Sequence, residues 1–179
     1  MEDWNVVVTV NEDGYRRVRR MLEPYGAIAP TDYYNVMVMQ VADPAGMMEQ
    51  LAERIEDSPG LMNDLSRVVP ATYNFNFQNA QEFEEQARAI VLQWLGQLGG
   101  SKFHVRLHRR GFKGTLSSPH EERFLDEAIL DGLQDLKTPG RIGFDDPDAV
   151  IDIETVGNRA GISLWTSEDL QRFEFLRPD

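Results

Sequence analysis

Cationic side chains are concentrated in one short segment of a chain that is otherwise strongly acidic. Residues 101–114 contain five Lys or Arg and no Asp or Glu, although the whole chain has a formal net charge of −12. Within this segment, the loop RRGFKGTLSS at 109–118 joins a strand to the start of a helix, where backbone N–H groups are free. Gly111 and Gly114 let the backbone approach a ligand closely. Cations, glycines and a helix N-terminus together indicate phosphate binding.

The same cations could instead pair with carboxylates within the protein. The chain contains 30 Asp and Glu residues, and carboxylates from elsewhere in the fold can neutralise a solvated basic loop. Phe112 is equally ambiguous, because an aromatic ring between two glycines either stacks on a base or packs the loop against the core. The local pattern leaves both pairs of alternatives open.

Other side chains that could bind a metal ion or take part in catalysis are better explained by structural roles. His104 and His108 share one face of a predicted strand but lie ~13 Å apart, too far to bind one metal ion. The cluster at residues 145–148 favours a turn over a cation site, and Asp152 and Glu154 beside Arg159 indicate cross-strand pairing. The chain has no cysteine and no P-loop, GxGxxG, GxSxG or HExxH motif. We therefore predict no catalytic residue, no metal and no cofactor, and an unrecognised hydrolase stays an alternative.

Composition indicates a folded protein with a sizeable core. Hydrophobic residues make up 41% of the chain, the N-terminus lacks the basic region of a signal peptide, and no apolar run approaches the ~20 residues that span a membrane. We expect a soluble, cytoplasmic protein. A charge of −12 repels nucleic acid at long range, so any nucleic-acid binding depends on a local patch. The basic run at 16–20 has acidic neighbours four residues away and indicates an exposed helix, with a secondary RNA contact as the alternative.

The first part of the chain has a regular alternation of strand and helix patterns. We predict, in order, a strand at 4–10, a helix from Tyr15, a weak strand at 26–30, an interior strand at 34–41, a helix from Pro44 and a strand at 68–77. This β-α-β-β-α-β order is typical of a ferredoxin-like domain, which we assign to residues 1–78.

The second part reads as a further α/β domain, assigned to residues 79–179. A capping box at Asn79 and Glu82 starts a helix that extends to about residue 98. A strand at 103–108, a helix capped by Ser118 and two strands at 150–156 and 160–165 follow, with Gly157-Asn158 as a tight hairpin. The predicted fold class of the whole chain is therefore α+β.

Residues 103–165 resemble the THUMP domain, an RNA-binding module of tRNA-modifying enzymes. The resemblance lies in FHVRLHRRG at 103–111, SSPHEERF at 117–124 and DDPDAVIDIETVGNRAGISLW at 145–165. In the THUMP family an aspartate-proline turn, a strand of the i-d-i-e kind and a partner strand ending in a-g-i-s-l are typical, and a ferredoxin-like domain usually precedes the module. The helix at 79–98 corresponds to the family's opening helix.

The resemblance implies that the two domains hold a tRNA acceptor stem and that THUMP grips its 3′ CCA end. A methyltransferase, thiouridine-forming or deaminase domain then modifies the RNA. No such domain is recognisable in this sequence, so we expect a non-enzymatic tRNA-binding adaptor for a separate tRNA-modifying enzyme. A protein-interaction module that has lost RNA binding is the alternative. The predicted RNA-binding residues are Arg109, Arg110 and Lys113 on phosphates, flanked by Lys102, Arg106 and His108, with Arg159 and Phe112 as further contacts.

Overall fold

The computed structural model describes residues 1–178 and divides the chain into two packing units. The first comprises Met1–Ala71 with Asp169–Arg177, and the second comprises Thr72–Glu168 with Pro178. The chain combines helices with two separate β-sheets, so the predicted α+β class is confirmed. Within residues 1–178, no helix has both the length and the hydropathy that crossing a bilayer requires.

The first unit contains an antiparallel four-stranded sheet. Its elements are β1 (Val6–Val10), α1 (Tyr15–Leu22), β2 (Gly26–Pro30), β3 (Val36–Val41), α2 (Pro44–Asp57) and β4 (Leu65–Pro70), with short 3₁₀ turns at Glu23–Tyr25, Pro59–Asn63 and Glu174–Leu176. The strands are ordered β2-β3-β1-β4, and each neighbouring pair is antiparallel. The weak strand at 26–30 is thus present, and the interior strand predicted at 34–41 is present as β3, which begins at Val36.

The second unit is built on a mixed five-stranded sheet. Its elements are β5 (Tyr73–Asn76), α3 (Ala80–Val91), a 3₁₀ turn (Leu92–Trp94), α4 (Leu95–Leu98), β6 (Lys102–His108), α5 (Ser118–Asp135), β7 (Arg141–Ile142), β8 (Ala149–Val156) and β9 (Arg159–Thr166); α6 (Ser167–Arg172) follows. The sheet order is β5-β9-β8-β6-β7, with β6 parallel to both β7 and β8. The edge strand β7 has no counterpart in the sequence prediction.

Side-chain caps begin the helices largely where the sequence predicts. Asp43 accepts a hydrogen bond from the Gly46 N–H, and Asn79 accepts one from the Glu82 N–H. The cap of α5 is Ser117 rather than the predicted Ser118, because the Ser117 hydroxyl accepts the His120 N–H. Ser118 therefore lies inside the first turn of the helix.

The single strand predicted at 68–77 is wrong. The chain leaves one sheet after Pro70 and enters the other at Tyr73. Between them, Ala71 donates its N–H to Asn5 O, whereas Thr72 donates to Ile162 O. The packing units consequently divide at Ala71 and Thr72, whereas the predicted domains divide after residue 78. That each unit folds as an independent domain stays a prediction.

Strand β6 separates the core face of the second sheet from its polar face. Phe103, Val105 and Leu107 are buried in the apolar cluster formed with α3 and α5, because alternate residues of a strand share one face. Arg106 and His108 alternate with them and lie in register with Asp152 and Glu154 of the parallel strand β8. The alternation therefore presents cations and carboxylates side by side on the polar face.

Gly14, which precedes α1, provides a test of close backbone packing. A Cβ atom there would lie 2.7 Å from Asp64 O and 2.9 Å from Asp64 Cα, and this carbonyl already accepts the Asn11 N–H. We expect Gly14→Ala to lower the free energy of unfolding by about 1–3 kcal/mol, the usual range for overpacking. Gly96→Ala is the matched control, because its Cβ would meet no atom within 4 Å. Urea unfolding compares the two, and equal stability of both variants would contradict the packing argument.

Candidate nucleic-acid interface

The loop between β6 and α5 is a folded turn rather than a loose connection. The Phe112 carbonyl accepts hydrogen bonds from the Thr115 and Leu116 N–H groups, and Arg109 donates to Gly111 O. Gly114 has a φ of +84°, a left-handed conformation that favours glycine. The loop backbone is therefore fixed before any ligand arrives.

A cavity of about 340 Å³ opens where this loop meets the N-terminus of α5. Arg109, Thr115, Ser117 and Ser118 contribute to its lining. A guanidinium group, hydroxyl groups and a helix N-terminus are a suitable donor set for one phosphate. Lys113 belongs to the same loop and is exposed. Arg109 thus lines the cavity at the start of α5, and Lys113 is exposed on the same loop.

Phe112 is in contact with the core of the second unit. Its ring centroid lies 4.9 Å from that of Phe77, and Phe112 is half-buried against the apolar cluster. Its φ of +56° is unusual for a residue with a side chain. This packing favours the role of a loop anchor over that of a base-stacking platform.

Arg110 and His108 have carboxylate neighbours within the fold. The Glu154 carboxylate lies 2.7 Å from His108 Nδ1 and 3.5 Å from Arg110 Nη2, and Asp152 Oδ1 lies 3.4 Å from the same His108 nitrogen. The Arg110 side chain is only 13% exposed, and the backbone N–H of Arg110 donates to Thr155 Oγ1. These contacts favour the internal alternative for both residues, while the predicted phosphate contact of Arg110 and the flanking role of His108 stay predictions.

The remaining predicted residues lie at different ends of the sheet. Arg159 begins β9 beside the hairpin turn, and the turn's Gly157 N–H donates to Arg110 O, so this turn adjoins the basic loop. Lys102 begins β6, six residues before His108, which is ~20 Å along a strand. Lys102 thus lies at the end of β6 away from the basic loop, and its RNA contact stays a prediction. Arg106 lies midway, in a second cavity with Pro119 and Phe144.

Three of the described residues form a polar group that the sequence analysis missed at the N-terminus of α5. One ligating atom from each of Glu84, His120 and Glu121 lies within 4.8 Å of the others, and His108, Asp152 and Glu154 form a comparable group. His104 does not join His108, because its Nδ1 donates to Gly143 O and its ring contacts Phe144. Burial lowers the pKa of His104.

Two carboxylates of α5 complete the hydrogen bonding of the β6 edge. Strand β7 pairs only with Lys102 and Phe103, which leaves later N–H groups of β6 without a strand partner on that side. The Val105 N–H donates to Asp126 Oδ1 and the Leu107 N–H donates to Glu122 Oε2, each at 3.0 Å. Burial raises the pKa of Asp126 to about 7 despite this hydrogen bond.

Comparison with known proteins reveals shared folds but no relative in sequence. No family model matches the chain, and no curated protein matches it in sequence. PH1313 from Pyrococcus horikoshii has 16% identity and a TM-score of 0.59, over 91% of this chain and 54% of that chain. A 4-thiouridine synthetase, solved as an RNA complex with bound ATP, has 12% identity and a TM-score of 0.58, over 91% and 41%. A possible methylase from Clostridium difficile 630 has 14% identity and a TM-score of 0.56, over 90% and 40%.

These similarities establish a fold and correct one prediction. The chain spans about half the length of PH1313, 54%, and 40–41% of the other two. Two of the three structures are named for catalytic activities, a synthetase and a methylase. The prediction of a non-enzymatic chain is therefore overturned, because this fold occurs in proteins named as enzymes. The lack of a familiar catalytic motif carries no conclusion about activity.

Asp126 should make stability depend on pH. The folded protein holds its proton more tightly than the unfolded chain does, so this contribution is complete below pH ~4 and is lost as the pH rises towards 7. Glu122 and Glu127 on the same helix raise the pKa further, while Arg106 of β6 lines the same cavity. The free energy of unfolding should therefore fall with pH by at most about 1.4 kcal/mol per pH unit on account of Asp126. We expect Asp126→Asn to abolish this contribution.

Urea unfolding between pH 4 and pH 8 measures this slope. Glu127→Gln, an exposed change on the same helix, is the control and should retain most of the wild-type pH dependence. If Asp126→Asn unfolds with the wild-type slope throughout this range, the raised pKa of Asp126 is wrong.

Proposed function

We propose that this protein binds tRNA through the cavity between the basic loop and the N-terminus of α5. The observation that carries the proposal is the lining of that cavity, to which Arg109, Ser117 and Ser118 all contribute. Exposed Lys113 adds a second cation on the same loop. This donor set matches a phosphate group of an RNA backbone.

The comparisons support RNA as the ligand. A 4-thiouridine synthetase of the same fold was solved in complex with RNA, and 4-thiouridine synthesis belongs to the thiouridine-forming class that the THUMP resemblance implies. In our proposal the second unit is a THUMP domain and the first is a ferredoxin-like domain. The strand order β2-β3-β1-β4 with two helical connections supports the latter assignment.

The proposed substrate contact is the acceptor stem with its single-stranded 3′ CCA end. The chain positions this end, as an adaptor does, for a tRNA-modifying catalytic module on the same or another polypeptide. Arg159, in the adjoining hairpin, supplies a further contact beside Arg109. Arg110 and His108 maintain the loop through Glu154 and contribute little to RNA affinity.

Removing the two loop cations should weaken binding in a salt-dependent way. We expect Arg109→Gln with Lys113→Gln to reduce tRNA affinity about 10- to 100-fold, and to reduce the slope of log K against log salt by up to about 2, because each neutralised phosphate contributes up to about 1. Fluorescence anisotropy with one tRNA at several salt concentrations measures both quantities. Arg16→Gln with Arg20→Gln, which removes two exposed cations from α1, is the charge-matched control. If the Arg109 and Lys113 double variant binds tRNA as tightly as the wild type, the loop is not the site.

Trimming the RNA tests which part of tRNA is recognised. We expect removal of the 3′ CCA nucleotides to lower the affinity at least about 10-fold at moderate salt, because stacking and hydrogen bonding to unpaired bases are lost. A duplex of the same length without an overhang serves as the control for generic phosphate contact. Equal affinity for intact and trimmed tRNA would contradict recognition of the 3′ end, and absence of binding at low salt would contradict the proposed function itself.

A further inference from the structure

Glu84, His120 and Glu121 converge where α3 packs beside the first turn of α5. His120 Nε2 lies 3.6 Å from Glu84 Oε1, and one ligating atom of each of the three residues lies within 4.8 Å of the others. The side chain of His120 is 66% exposed and that of Glu84 is 25% exposed, whereas Glu121 is 2% exposed. The group thus has a buried floor and an open side.

Helix periodicity explains why two carboxylates meet here. Glu121 occupies the position that precedes Leu125 and Ile129 on the buried stripe of α5, and Glu84 precedes Ala87 and Val91 on α3. Residues three or four apart share a helix face. The apolar stripes pack into one core, and this packing brings their two acidic ends together.

This arrangement leaves negative charge in need of a counter-charge. Glu121 Oε2 receives no hydrogen bond from an N–H or O–H group among residues 1–178, although a buried carboxylate normally has donors. Its polar neighbour is the Glu84 carboxylate, which carries the same charge. A proton shared by the two carboxyl groups or a bound cation would satisfy the pair.

We infer that Glu84, His120 and Glu121 bind a divalent transition-metal ion of the zinc class. One imidazole nitrogen with two carboxylate oxygens is a donor set that zinc accepts, whereas magnesium and calcium prefer oxygen alone. Two ligands at about 2.1 Å from a tetrahedral zinc are about 3.4 Å apart, close to the 3.6 Å between His120 and Glu84. A divalent ion also neutralises both carboxylates. Three protein ligands leave one position open for water or another oxygen ligand.

The inference is independent of RNA binding and is tested on the purified full chain without RNA. After chelator treatment and dialysis, ZnCl2 is titrated in competition with a chromophoric chelator, and bound zinc is counted by elemental analysis. Cobalt chloride provides a second probe, because its visible spectrum reports low coordination number and nitrogen ligation. MgCl2 provides the comparison with an oxygen-preferring ion.

The variants separate this site from other zinc-binding groups. His120→Ala changes a largely exposed side chain and should not disturb folding, and Glu84→Gln preserves the volume of its side chain. Each should lower zinc affinity at least about 10-fold and abolish the cobalt spectrum, since each removes one of three ligands. Glu85→Gln, the neighbouring exposed acid on α3, is the matched control and should bind as the wild type does.

Two results would overturn the inference. If the wild type binds no zinc at millimolar concentration, the two carboxylates share a proton instead. If His120→Ala and Glu84→Gln bind zinc as tightly as the wild type, the ion lies elsewhere, for example at His108, Asp152 and Glu154. Zinc binding that is lost in both variants and retained in Glu85→Gln supports the site.

Discussion

Parallel pairing of β6 with β8 is the constraint on which the candidate nucleic-acid interface depends. This register places Arg106 beside Asp152 and His108 beside Glu154, so the polar face of the sheet carries opposite charges side by side. It also carries the chain to one end of the sheet, where the basic loop begins. Because β7 pairs with only two residues of β6, carboxylates of α5 accept the remaining N–H groups along that edge of β6. The positions of the basic loop, of the β6 edge and of the start of α5 thus follow from the pairing of β6 with β8.

The acidity of the chain is partly structural. Asp126 and Glu122 accept backbone N–H groups of β6, and Asp148 accepts the Lys102 N–H. Each of these carboxylates accepts a hydrogen bond from a backbone N–H group of β6 that would otherwise need a neighbouring strand as its partner. The net charge still repels nucleic acid at long range, so binding depends on the local field at the loop. There Glu154 pairs with Arg110 and His108, whereas Lys113 is exposed.

Much of the fold was predictable because its signals are local. Alternation on β6 and the side-chain caps at Asp43 and Asn79 follow from periods and donors within a few residues. The segment 68–77 was not predictable in this way, since its apolar, β-prone residues suit either sheet equally well. Only long-range pairing decides that Pro70 ends one strand and Tyr73 begins another. The two-residue strand β7 is likewise too short to have a periodic pattern.

The sequence by itself determined the α+β class, the unusual concentration of cations at 101–114 and the helix start that follows it. Tertiary structure alone decided which of those cations are available. Arg110 is neutralised by Glu154, a residue 44 positions away, and no local pattern reports such a pairing. The same holds for Glu84 and Glu121, which meet only because the apolar stripes of α3 and α5 pack together. Local periodicity specifies which face a side chain occupies, whereas its chemical environment depends on which other face packs against it.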